Sequence, residues 1–98
     1  MENAKIFKIV PISGLVEEEG DVFIGSTFNT LENALERHII NHQRPFKKAV
    51  YSSEHLFNKY GASNCKIELI ELFPCNSKEA LMKREGEIIR KTNCVNRL

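Results

Sequence analysis

Ninety-eight residues, 42% hydrophobic and 28% charged, suffice for one packed core and are read as a single domain over residues 1–98. No apolar run approaches the roughly 20 residues of a membrane helix, and "MENAKIFKIV" lacks the long apolar stretch of a secretory signal, so an intracellular protein with no membrane partner is expected. A formal net charge of +1 rules out a globally basic or acidic chain, and three cysteines without a Cys-x-x-Cys pair read as free thiols rather than a disulfide framework or zinc site.

In chain order, "KIFKIV" (5–10) is rich in β-branched and aromatic residues and stops at Pro11, which predicts a first strand. The stretch 11–20 holds Pro11, Gly14 and Gly20 around a charge run, the composition of a long hairpin loop. "DVFIG" (21–25) follows as a second strand, antiparallel to the first. A first helix opens at Asn29 or Thr30, carries Leu31, Leu35 and Ile39 at helical spacing, and ends before Pro45. "YSSEHLFNKYG" (51–61) predicts a short helix capped at Ser52 or Ser53 and closed by Gly61. "CKIELIELF" (65–73) predicts a third strand with Ile67, Leu69 and Phe73 on one face, stopped by Pro74. Residues 76–92 form the third helix, with Asn76 and Glu79 in capping-box spacing. The order is ββααβα: an α+β domain with a small, mainly antiparallel three-stranded sheet flanked by three helices.

Charge is uneven along this chain. Residues 37–48 carry Arg37, Arg44, Lys47 and Lys48 with no acidic residue, against the acidic triplet Glu17, Glu18 and Glu19. A basic run of this kind either meets phosphate or is a solvated surface.

Two ionisable residues fall on apolar helix faces. In the third helix, Glu85 shares a stripe with Leu81, Ile88 and Ile89, while Arg84 points elsewhere. Such a carboxylate either reaches back to solvent or is paired, hydrogen-bonded or holding a cation. In the first helix, His38 and His42 share a face with Leu31, Leu35 and Ile39, and Arg37 and Glu36 face away. An inward histidine is either a satisfied core residue or part of acid–base or metal-assisted chemistry.

Over nearly its whole length the chain resembles the GIY-YIG nucleases. "IFKI" is similar to their first-strand motif, Ile-Tyr-Lys-Ile; "FIGST" is similar to Tyr-Ile-Gly-Ser-Thr at the end of their second strand; residues 52–90 and the closing "CVNR" follow the rest of their pattern. The resemblance implies a single-metal phosphodiesterase. Glu85 matches the carboxylate that binds a divalent cation, Mg2+ or Mn2+; Asn96 matches an asparagine near the end of the domain; His38 matches a histidine one turn beyond an arginine. On this reading Glu85 and His38 converge over the patch of sheet floored by Phe7 and Phe23.

The chain departs from that pattern at three positions. Phe7 and Phe23 stand where the family has tyrosines, and Ala34 stands where it has the arginine; Arg37 is placed nearly on the opposite side of the helix. A phenyl ring neither donates nor accepts a strong hydrogen bond, and alanine cannot neutralise a phosphoryl oxygen. Three readings follow. One is a nuclease-fold protein with impaired or absent catalysis that binds nucleic acid, most naturally DNA, weakly and salt-sensitively through Arg37, Arg44, Lys47 and Lys48. Another is a working endonuclease with a rewired site using His38 or His42 as base and Arg37 or Arg44 on the phosphate. The last is a protein-interaction module on the same scaffold.

Overall fold

The computed structural model describes residues 4–12, 20–43, 54–92 and 94–96. Its elements are β1 (Lys5–Pro11), β2 (Phe23–Thr27), α1 (Leu31–Gln43), α2 (Glu54–Tyr60), a 3-10 turn (Ala62–Asn64), β3 (Cys65–Leu72) and α3 (Lys78–Lys91). The strands form one antiparallel sheet in the order β2-β1-β3. The ββααβα order and the α+β class are those expected. The charge run at 17–19, Pro45 and the candidate cap residues Ser52 and Ser53 lie outside the described residues.

Side chains alternate across the sheet and sort into two cores. Phe7, Ile9 and Phe23 face α1 and α2 and pack with Ala34, Leu56, Phe57 and Cys65. Ala4, Ile6 and Ile24 face the other way and pack with Leu81 and Ile89 of α3. Both sheet faces are therefore covered by helix, which lets β1 be apolar on both sides.

Four local details differ from expectation. β2 starts at Phe23 and runs on to Thr27, pairing from Lys5↔Thr27 to Ile9↔Phe23, while Val10 and Pro11 of β1 pair with β3 alone. Asp21 is drawn instead into a buried cluster, its carboxylate accepting from Lys59 Nζ at 2.9 Å and from the Tyr60 hydroxyl. The α3 cap is Ser77, whose hydroxyl accepts from the Ala80 N–H at 3.1 Å, so no capping box joins Asn76 and Glu79. In β3 the pairing steps from Ile6↔Glu71 to Phe7↔Leu69, leaving Ile70 as an extra residue. That bulge reverses the alternation, so Phe73 joins the α3 core while Ile67 stays with the α1–α2 core.

Other caps are as the sequence indicates. Thr30 Oγ1 accepts from the Asn33 N–H at 3.2 Å at the start of α1. Gly61 adopts φ 89° and donates its N–H to Phe57 O at 2.9 Å, closing α2.

Two features fix β2 at its edge. A Cβ on Gly25 would lie 2.5 Å from Cζ and 2.9 Å from Cε1 of Phe7, and 3.0 Å from Cε2 of Phe23, so only glycine lets β2 pass beneath these rings. On the outer side, Val95 N–H donates to Val22 O at 2.8 Å. Asn96 then donates Nδ2 to Ile24 O and accepts the Ile24 N–H on Oδ1, both at 2.8 Å. Its amide stands in for a neighbouring strand.

Gly25→Ala should destabilise the domain by about 1–3 kcal/mol through overpacking. Urea denaturation checks this, and adding Phe7→Leu should restore part of the loss; equal stability of Gly25→Ala and the parent would contradict the close approach.

Candidate active site

The centre of the site is a stack of rings on the α1 side of the sheet. Phe7 and Phe23 lie on adjacent strands with centroids 6.3 Å apart and planes tilted by 49°. His38 comes down from α1 onto both, edge-on, 6.1 Å from Phe7 and 5.0 Å from Phe23. It arrives there because Ala34, one turn earlier, is small and buried, letting α1 approach the sheet. The surrounding hydrocarbon strips water from the imidazole and pushes its pKa down to about 4. His38 is therefore neutral at pH 7.

Beside the rings opens a cleft of about 240 Å³ lined by Phe7, Ser26, Thr27, Ala34, Arg37 and His38. Ala34 contributes only a methyl group to this wall. Arg37 lines it as well, which corrects the expectation that it faces away. At about 100° per residue it is only about 60° around the helix from Ala34, and its long stem lets an exposed residue lean over the opening.

Glu85 reaches the same strand from the other side. It lies on α3, half-buried, and hydrogen-bonds Ser26; burial raises its carboxyl pKa and the Ser26 bond opposes that rise. By pleat alternation Ser26 shares a face with Ile24, beneath α3, whereas Phe23 and Gly25 face α1. The four residues expected over one patch are thus divided. Phe7, Phe23 and His38 pack together, and Glu85 joins them through Ser26, which also lines the cleft. The preceding residue fixes this aim: Arg84 Nε and Nη2 each bond a different oxygen of Glu71 on β3 at 2.8 Å, holding α3 in one rotation.

Three-dimensional comparison matches a solved structure titled "Structure of the Catalytic Domain of Homing Endonuclease I-TevI", with a TM-score of 0.65 and 22% identity over 92% of this chain and 88% of that one. The fold is that of the GIY-YIG nucleases. No protein-family model matches the sequence, and no curated protein does.

Within the GIY-YIG fold, the positions singled out in the sequence take distinct places. Asn96 has both amide groups committed to the Ile24 backbone, a positional task next to Gly25. His42, one turn beyond His38, stacks edge-on against Phe57 with centroids 5.4 Å apart, toward α2. Arg44, Lys47 and Lys48 lie outside the described residues. Ser26 and Thr27 join these residues in the cleft; their signal in the sequence is a pair of hydroxyl residues at the end of β2, with Ser26 in phase with Ile24 toward α3.

The donor set narrows the metal chemistry. Among the described residues no group of three or more His, Cys, Asp or Glu side chains comes together, and Cys65, Cys75 and Cys94 are free thiols. A soft, fully protein-ligated zinc does not suit this. One carboxylate with a neighbouring hydroxyl does suit magnesium, which keeps most of its waters and takes the rest of its shell from phosphate oxygens.

The His38 shift has a thermodynamic consequence. Its folded pKa of about 4 lies below the 6.5 of an exposed histidine, so between these values the unfolded chain binds the extra proton. The stability it contributes is present above pH 6.5 and is lost as pH falls toward 4. Denaturation midpoints at pH 7, 5.5 and 4.5 should fall in that order, and His38→Leu should flatten the part of the slope between 6.5 and 4. A His38 NMR titration midpoint near 6.5 would refute the desolvated placement.

Proposed function

We propose that this GIY-YIG-fold protein binds the phosphodiester backbone of nucleic acid, DNA first among candidates, while its hydrolytic chemistry is impaired. The observation that carries the reading is the make-up of the Ala34 cleft. It has Arg37 in its wall, yet the rings it offers are the phenyl of Phe7 and the His38 imidazole, whose basicity is low.

Phosphodiester hydrolysis needs a water positioned and deprotonated, charge neutralised on the phosphoryl oxygens, and commonly a cation. Phe7 and Phe23 have no hydroxyl to hold or orient that water. His38, with a pKa near 4, is far from the neutral value at which a general base works best. Arg37 answers the need for positive charge, since its planar fork suits phosphate. Glu85, together with Ser26, would hold magnesium or manganese. Such an ion supplies Lewis-acid stabilisation of the phosphoryl group. Loss of a single electrostatic donor commonly lowers rates by about 10²–10³, and this chain lacks three of the groups its fold relatives are expected to use.

Backbone contacts of this kind give weak binding that falls with salt. Free thiols at Cys65, Cys75 and Cys94 fit a reducing, intracellular setting. Among the described residues no helix is long and apolar enough to cross a membrane. A second reading, a working nuclease, is favoured by one observation, the place of Arg37 in the cleft wall.

Supercoiled plasmid incubated with the protein and Mg2+ or Mn2+ separates these readings. We expect retarded migration at low salt and no nicking; nicking by the parent protein would establish the second reading, and no retardation at any salt would favour an interaction module. The combined variant Phe7→Tyr, Phe23→Tyr, Ala34→Arg should gain metal-dependent cleavage that Glu85→Gln abolishes. A folded triple variant that cuts nothing would overturn the assignment of this cleft.

A further inference from the structure

A second cleft adjoins the first. It encloses about 350 Å³ where the turn after β2, α1 and the first turns of α3 meet, and it shares Ser26, Thr27 and Arg37 with the Ala34 cleft. Its size is that of a small-ligand site. Two cations line it, Arg37 from α1 and Lys78 from α3, and no Asp or Glu does. Among the described residues neither cation makes an ion pair or a side-chain hydrogen bond. Two like charges facing one opening repel each other, and an anion between them removes that repulsion.

The remaining wall is apolar. Phe28 and Leu81 belong to the α3 core, and Met82 is 54% exposed at the rim. A ligand that fits this wall has an anionic group for the cations and a flat apolar body for Phe28 and Met82. Because the clefts meet at Arg37, a ligand with repeating phosphates can occupy both.

We propose that this second cleft holds an unpaired nucleotide of the strand whose backbone lies over the Ala34 cleft, its phosphate between Arg37 and Lys78 and its base against Phe28 and Met82. The proposal rests on the nucleic-acid-binding reading above and adds to it a preference for single-stranded or frayed substrate. A base locked in a duplex stack cannot enter without unpairing, whereas a free base meets apolar side chains at no such cost.

The test is fluorescence anisotropy of the whole protein with a single-stranded oligonucleotide and with its blunt duplex, using Lys78→Ala and Met82→Ala. Both sites are exposed, so folding is preserved. We expect the single strand to bind more tightly than the duplex. Met82→Ala should weaken single-strand binding about fivefold and leave duplex binding within twofold. Lys78→Ala should weaken it about tenfold and lower the log–log salt slope by about one. Single-strand binding unchanged in both variants, with salt sensitivity intact, overturns the subsite and leaves the broader reading standing. A Lys78 effect without a Met82 effect overturns the base pocket in favour of a bare phosphate contact. Failure of the parent protein to bind either oligonucleotide removes both.

Discussion

The approach of the Phe7 ring to Gly25 sets the dimensions of everything around it. A ring lying across two strands needs a strand with no side chain under its edge, and glycine provides that. With Phe7 placed there, Phe23 is tilted against it and His38 meets both edge-on. Desolvation of the imidazole follows from that ring cluster together with the small Ala34, which lets α1 approach the sheet.

Sheet geometry imposes a second constraint. Successive residues of a strand point to opposite faces, so a site that draws on both Phe23 and Ser26 must wrap around the strand that carries them. β2 is an edge strand, and that makes wrapping feasible. α1 brings an imidazole and a guanidinium from one side; α3 brings a carboxylate from the other. The Arg84–Glu71 pair anchors α3 at the opposite edge of the sheet, so Glu85 is aimed by contacts far from the cleft.

Much of this was written in local patterns. The element order, the inward face of α1 and the misplaced polarity of Glu85 all follow from spacing. What spacing did not disclose depends on neighbours. The start of β2 goes with the diversion of Asp21 to Lys59 and Tyr60. The position of Phe73 is set by an extra residue at Ile70, which no two-residue period anticipates. Ser77 outcompetes Asn76 as a cap although both are good capping types. Arg37 lies off the centre of the apolar stripe of α1, yet it is only about 60° from Ala34 at the edge of that stripe, and its long side chain can span the gap.

The Asn96 clasp has an implication for how β2 meets other molecules. An edge strand carries a rail of open amides and carbonyls to which any extended peptide can add, and here one side-chain amide occupies the Ile24 position of that rail. The same strand is thereby kept from recruiting a foreign chain beside the cleft. Its fit is stereospecific in a way a hydrophobic cover would not be: aspartate, the same shape, would present two acceptors to one donor and one carbonyl, and would let go.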